Sequence, residues 1–373
     1  MREYLHFAER IARILRYSRV IPEEPLSVDL IINTRAGVLS HGTRFRRVCR
    51  VVRRFEAGLR DPVHSADSMT VHYHFTQYHG HARDIAGRIL RSGLASGRHR
   101  VVVSLGGDGT HGEILGVLAR ADRKVQSRTL AFRLPLGSGN DGADAPDLET
   151  ALQMLLYGPT VGEVAYLRIR TARGRTLNAF NVASVGIDAF VTLVSLRLKH
   201  LLPGNVYRIA AAVSAAFYGL FLRPREMVCE IESRTDTPVP RAGRFLLLAA
   251  AASAPRTYGN GMHILPGPEN VCLVHGMSAV KTMRLKKLMY RGEHVRRPEV
   301  ETFEAAAITL RYRRRLPFQA DGEPLTLDPA DFPLRIYRAW TSVTVPDGGT
   351  LPRREQELAA AGGREGLLGQ ENS

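Results

Sequence analysis

RVVVSLGGDGTHGE, residues 100–113, runs from a β-branched strand through three glycines within four residues and straight into helical sequence. A strand that stops on bare glycines and restarts at once as a helix has cleared side chains away from something, either another stretch of backbone or a ligand. In an open α/β sheet the loops at the carboxyl ends of the strands form the ligand crevice, and a helix N-terminus there offers unpaired N–H groups to an anion. Asp108 is the oddity, because a carboxylate beside phosphates repels them unless a cation or a proton mediates. It indicates Mg²⁺ bridging or general-base work on a hydroxyl, set against a plain reading in which Asp108 only caps the helix.

Outward from this turn, residues 27 to about 170 alternate short β-branched runs with longer stretches of helical period. SVDLIIN (27–33), TVHYHFT (70–76), RVVVSL (100–105), TLAFRL (129–134) and VAYLRIR (164–170) read as buried strands. Between the first two, Phe45, Val48, Val52, Phe55 and Leu59 recur at spacings of three and four, on one helix face with arginines on the other. Strand, helix, strand in series predicts a parallel α/β sheet. After about residue 172 the rhythm becomes strand upon strand, interrupted by helical stretches at 206–222 and roughly 278–291, which predicts an antiparallel β domain. The domains expected are an N-terminal helical extension (1–26), a nucleotide-binding α/β domain (27–171), a β-sandwich (172–346) and a flexible tail (347–373).

The 373 residues carry 52 Lys plus Arg against 36 Asp plus Glu, a formal excess of +16 that favours an anionic partner such as nucleic acid, anionic lipid or polyphosphate. Against nucleic acid, there is no zinc-finger spacing, no aromatic RNA-binding signature and no basic region running into heptads. Cys49, Cys229 and Cys272 lie far apart and fit no metal spacing, the pattern of a reducing, cytoplasmic compartment. Charges interrupt the first twenty residues, unlike a signal peptide. The longest nearly apolar run, IAAAVSAAFYGLFL (209–222), is too short to span a bilayer.

Two further strand exits stand beside the first. LPLGSGND (134–141) sets Gly137, Gly139 and Gly142 in the register of the G-x-G-x-x-G dinucleotide fingerprint, with Glu163 about twenty residues on. Pro146 delays the helix that this fingerprint needs, so the match is weak. IINTRAG (31–37) could present the Asn33 amide and the Gly37 N–H to a nucleotide, although alone it is a common strand-to-loop transition.

Together these turns, with Thr76, Gly80 and Ala82, then GGDGT, then LPLGSGND, resemble the catalytic domain of the diacylglycerol kinase family, which includes sphingosine kinases and soluble bacterial lipid kinases. The resemblance continues through NVASVGIDA (181–189), LLPGNVYR (201–208), YGNGMHILPGPEN (258–270), RGEHVRRPEV (291–300) and QADGEPL (319–325), and covers about residues 27–346. It implies an ATP-binding α/β domain, a β-sandwich carrying the lipid site, and a cleft between them. It further implies that Asn33, Thr34, Arg35, Ala36, Gly37, Thr76, Gly106, Gly107, Gly109, Thr110, Ser138, Gly139 and Asn140 surround ATP. Asp108, Asp141 and Glu163 would order Mg²⁺. Asp321 and Glu323 match the family's DGE carboxylates, and Asp108 or Glu323 would be the base for the lipid hydroxyl. The partners implied are a lipid substrate at the membrane surface, peripheral contact at the inner membrane face, and a homodimer. NAD kinase shares GGDGT and stands as the alternative, alongside a catalytically inactive nucleotide- or lipid-binding relative of the same fold.

Three departures from the family are visible. Glu163 stands where Asp is usual, Asn270 stands in place of an acidic D-D-G-x-L segment that holds a structural metal in bacterial relatives, and His81 replaces a common Asp. His72, His74, His79 and His81 crowd together, a pattern more typical of a solvated or packed strand exit than of a metal site. RYRRR (311–315) reads as a solvated edge-strand face that could also touch anionic headgroups. The apolar segment around 209–222 reads as a buried core helix, or else as a lining of the acyl-chain pocket or a segment that dips into the membrane interface. The N-terminal helix, with Leu5, Phe7, Ile11, Ile14 and Leu15 among basic residues, offers a second membrane attachment.

Overall fold

The computed structural model describes residues 1–22, 26–93, 98–137, 140, 142, 144–199, 218, 226–233, 239–258 and 261–347. Met1–Ala165 and the chain from Trp340 onward form one compact unit, and Tyr166–Ala339 forms a second.

In the first unit, four parallel strands, β1 (Leu26–Ile32), β2 (Met69–Phe75), β3 (His99–Gly106) and β4 (Thr129–Pro135), lie in the order β2-β1-β3-β4. The central strands β1 and β3 are buried along most of their length, which is why they read as continuous apolar runs rather than as alternation. Helices α2 (Gly42–Ala57), α3 (His81–Gly93), α4 (Asp108–Leu118), α5 (Arg123–Gln126) and α6 (Leu148–Tyr157) fill the connections, and a short strand β5 (Thr160–Val161) follows α6. The order reverses between β1 and β3, so the chain leaves these neighbouring strands toward opposite sides and opens a crevice at their carboxyl ends. Asn33 and the GGDGT turn stand at those two ends.

The N-terminal helix α1 (Arg2–Leu15) belongs to this core rather than forming a separate extension. Phe7, Ile11, Ile14 and Leu15 are fully buried, each contributing roughly 1.5–3 kcal/mol relative to exposure, and Tyr4 packs on Phe45 of α2 with ring centroids 4.7 Å apart. Arg10 and Arg13 both pair with Glu56 of α2. The apolar face expected to meet a membrane therefore meets the protein's own core.

The second unit holds two six-stranded sheets in a sandwich-like arrangement. Its strands are β6 (Val164–Arg170), β7 (Thr176–Ala179), β8 (Val182–Gly186), β9 (Met227–Glu232), β10 (Val239–Gly243), β11 (Phe245–Ala251), β12 (Arg256–Tyr258), β13 (Met262–Leu265), β14 (Val271–His275), β15 (Val300–Phe303), β16 (Ala307–Arg311), β17 (Leu316–Ala320), β18 (Glu323–Leu327) and β19 (Leu334–Thr341). One sheet runs β10-β9-β16-β19-β6-β7 and the other β15-β14-β11-β8-β17-β18. Helix α7 (Ile187–Lys199) follows β8, and α8 (Ala279–Met289) follows β14. VAYLRIR, expected in the parallel sheet, is β6 and pairs antiparallel with β7. A strand buried on both faces has the same apolar pattern in either kind of sheet, so periodicity alone could not assign it.

The chain then returns to the first unit. Ala131 N donates to Thr344 O (2.8 Å), Thr344 N to Thr129 O (3.0 Å), and Ser342 N to the Gln126 side chain (2.7 Å), covering the outer edge of β4. The segment 201–222 lies outside the described residues except for Tyr218, which is buried against Phe190. The tail beyond 347 also lies outside them.

Candidate active site

The glycines of GGDGT answer first to backbone. Gly107 has an ordinary extended conformation, yet a Cβ there would stand 3.0 Å from the Gly137 Cα, and one on Gly137 would stand 2.5 Å from the Gly107 Cα. A Cβ on Gly106 would meet the Thr110 hydroxyl at 2.8 Å. Two strand ends thus approach closely, and the turns after β3 and β4 form one continuous floor. Asn33 ties in the third turn: its Nδ2 donates to Thr110 Oγ1 (2.9 Å) and its Oδ1 accepts from Arg35 N (3.1 Å). Val38 N donates to Leu136 O (3.0 Å) and Thr76 N to Ile32 O (2.9 Å). Asn33, Thr76, Gly106 to Thr110 and Gly137 therefore belong to one group of adjoining strand exits. Thr34, Arg35, Ala36 and Gly37 follow Asn33 in its loop, with Ala36 buried and Arg35 exposed.

Asp108 is the first residue of α4 and does not cap it. Its Oδ1 accepts from Arg133 Nη1 (2.8 Å), and its Oδ2 accepts a long bond from Gly142 N (3.4 Å). Arg133, on β4, is 7% exposed and also reaches Asp144 Oδ2 at 3.5 Å. The guanidinium supplies the positive charge that the lone carboxylate required, and it fixes the direction of Asp108. Its signal was present in the sequence: a single arginine inside TLAFRLP, a strand that is otherwise apolar, must find a carboxylate.

Glu113, one turn further along α4, accepts from Gly80 N (3.0 Å) and Arg83 N (3.3 Å), and so anchors the first turn of α3. His111 is buried against Ser104 (2.9 Å); burial and the nearby Arg133 push its imidazole well below the ordinary range, so it stays neutral. Asn140 takes a left-handed conformation (φ 56°), and its side chain accepts from Gly137 N and donates to Pro135 O and Gly137 O. It shapes the turn. Ser138, Gly139 and Asp141 lie outside the described residues. Helix α6 opens at Leu148, capped by Asp147, and among the described residues no helix starts at the glycines as the dinucleotide fingerprint demands.

Glu163 is half-buried ahead of β6. Among the described residues no three His, Cys, Asp or Glu side chains come together as a metal cage. Mg²⁺ is commonly held by one or two carboxylates together with phosphates and water, and Asp108, a quarter exposed with a weakly engaged Oδ2, suits that mode. His74 bonds Asp29 (2.9 Å), and His81 accepts from Gln77 N and stacks on Tyr78. Asn270 is buried and donates to Ala251 O and Ala305 O while accepting from Ala305 N, so its amide is engaged in joining strand ends.

In the second unit, the turn between β17 and β18 carries Asp321 (φ 51°) and Gly322 (φ 83°). The Asp321 carboxylate accepts from three main-chain N–H groups, Phe180 (2.6 Å), Asn181 (2.8 Å) and Val182 (3.0 Å), which clamps the turn onto the β7–β8 connection. Glu323, two residues on, is exposed at the start of β18. Beneath the turn, Gln319 Oε1 accepts from Gly322 N (2.8 Å), Gln319 Nε2 donates to Ser184 Oγ (2.7 Å), and Ser184 Oγ donates to Asp188 Oδ2 (2.6 Å). Sequence reading did not single out this relay.

Burial pushes the Asp188 carboxyl from 3.8 up to about 6, against the opposing pull of its Ser184 and Gln319 hydrogen bonds. The native chain then holds a proton that the unfolded chain releases. This group therefore favours the fold below about pH 4, and that contribution is lost as pH rises through about 6. Across that window wild type should lose roughly 1–3 kcal/mol more than Asp188→Asn, measured by urea unfolding. Parallel pH profiles of the two proteins would remove Asp188 as the source.

Two family models match the chain in succession. Residues 28–160 match the family described as "Diacylglycerol kinase catalytic domain", and residues 181–342 match the "YegS C-terminal NAD kinase beta sandwich-like domain". The chain is 26% identical over 292 residues to "Putative lipid kinase YtlR" of Bacillus subtilis (strain 168), spanning 70% of this chain and 87% of that one. It is 37% identical over 128 residues to "Probable lipid kinase YegS-like" of Xanthomonas oryzae pv. oryzae (strain MAFF 311018), over 33% of this chain and 41% of that one. Among solved structures, a diacylglycerol kinase from Bacillus anthracis str. Sterne shares the fold at a TM-score of 0.52 with 13% identity, over 87% of this chain and 96% of that chain.

Proposed function

Residues 28–160 match the diacylglycerol kinase catalytic domain, and from that premise we propose that the chain transfers the γ-phosphoryl group of ATP to a hydroxyl of a diacylglycerol-like or sphingoid lipid. The observation that carries this reading is the Asp108–Arg133 pair on a floor of glycine backbone at the switch point of a parallel sheet. Phosphoryl transfer asks the protein for positioning, charge neutralisation and a base for the hydroxyl proton. Main-chain N–H groups at the start of α4 and the side chains of Asn33 and Thr110 cradle the phosphates. Asp108 is the residue that would hold Mg²⁺, which would supply charge neutralisation on the phosphates when bound.

The proton falls to Glu323. Its place in the DGE motif carries this assignment, while Asp108 is bonded to Arg133 and Asp321 to three main-chain amides. Asp321 holds the turn from which Glu323 projects. The acceptor is a lipid presented at a membrane surface; no described helix is long and apolar enough to cross one.

A second reading, NAD phosphorylation, draws on the sandwich family's NAD kinase-like description. One assay separates the two. Purified protein is given Mg²⁺, labelled ATP and either a total lipid extract in mixed micelles or NAD. Labelled lipid is the expected result, label in NAD alone selects the second reading, and label in neither overturns both.

A further inference from the structure

The RYRRR run divides in the structure into neutralised and open charges. Arg311 pairs with Glu230 (3.1 Å) and Arg315 with Asp328 (2.8 Å), one at each shoulder of the turn between β16 and β17. Arg313 and Arg314, at its tip, are exposed and have no carboxylate partner among the described residues. Both face a cavity of about 1710 Å³ that Arg244 also lines, and Arg244 likewise has no acidic partner among those residues. Val228, Met277 and Phe332 give this cavity apolar wall, and Glu226 is the one acid among its described lining residues.

The same rim continues into α8, whose N-cap Ser278 lines the cavity. Val280 and Met283, three residues apart and so on one helix side, are 54% and 53% exposed. Uncompensated guanidiniums beside exposed apolar side chains match a surface with phosphates outside and hydrocarbon beneath. The five residues of β17 separate the arginine tip from Asp321, about 17 Å of extended chain, so this face stands at the far end of that strand from the Asp321–Glu323 turn.

We propose that the face formed by Arg244, Arg313, Arg314, Val280 and Met283 docks the protein on the anionic phospholipid headgroups of a membrane. The inference rests on the lipid-kinase reading only in that the acceptor is a membrane lipid. Vesicle binding is measured without ATP, so either idea can fail while the other stands.

The test is sedimentation of the full chain with vesicles of phosphatidylcholine alone or mixed with phosphatidylglycerol. Binding to the mixed vesicles only is expected, weakening with salt. Arg313→Gln with Arg314→Gln should weaken it about 30-fold, roughly five-fold per arginine, with unchanged melting temperature and unchanged turnover of a micellar short-chain acceptor. Val280→Ser with Met283→Ser should weaken it as well, which simple charge attraction would not require. Equal binding to phosphatidylcholine, or wild-type binding by the double arginine variant, overturns the proposal. Release by soluble glycerol phosphate would also overturn it, in favour of a small-anion site, and equally tight capture of polyglutamate would point to an acidic protein partner instead.

Discussion

Asp108→Asn is expected to lower lipid phosphorylation by about 100- to 1,000-fold, the scale at which removing one preorganised charged group acts on a transition state. It should also destabilise the protein. Arg133 is 7% exposed and would keep only the longer contact to Asp144, at 3.5 Å, and a buried cation that loses its nearer partner costs on the order of 1–3 kcal/mol here, Asp108 itself being partly solvated. A loss of activity in this variant alone could therefore come from either cause. The triple variant Asp108→Asn, Arg133→Met and Asp144→Asn separates them, because replacing every member of a buried charge cluster with uncharged groups is often neutral for stability. Its urea midpoint should return toward wild type while phosphorylation stays at the level of the single variant. If activity returned with the fold, Asp108 would be an anchor for Arg133 and have no part in the reaction.

The parallel sheet and its three turns were legible in the sequence because a parallel strand is buried on both faces, leaving a continuous apolar run that ends on glycine. What the glycines accommodate was not. The contact of Gly107 with Gly137 depends on the register of β3 against β4, where Gly106 stands opposite Pro135, and no local pattern records that. Arg133 could have been found, since a charge inside an apolar strand demands a partner; which partner depends on the same register. The amphipathic N-terminal helix misled for a different reason. Phe7, Ile11, Ile14 and Leu15 with arginines opposite make the same pattern whether the apolar side meets a membrane or α2 and α6. Asp321 is the clearest case of an invisible role, because the amides it holds lie 139 to 141 residues earlier in the chain.

Asp321 and Glu323, read from the sequence as a pair, should separate when each is changed. Asp321→Ala leaves three main-chain N–H groups at the β7–β8 connection without their acceptor, and charge-assisted bonds of 2.6 to 3.0 Å make that loss large. A fall of about 3–5 kcal/mol in unfolding free energy is expected from three unsatisfied donors, those of Asn181 and Val182 on buried residues, with activity falling because the turn carrying Glu323 is released. Glu323→Gln keeps the size of an exposed side chain and should leave the urea midpoint within about 0.5 kcal/mol of wild type. Its turnover should nonetheless drop by about 100- to 10,000-fold, the contribution of a positioned general base, with little change in the KM for ATP. Asp321→Asn refines the comparison: its amide oxygen still accepts from one or two of the three amides, so stability and turnover should both fall between wild type and Asp321→Ala. If Asp321→Asn kept full stability while losing as much turnover as Glu323→Gln, Asp321 would be the proton acceptor and the clamp on residues 180–182 incidental to it.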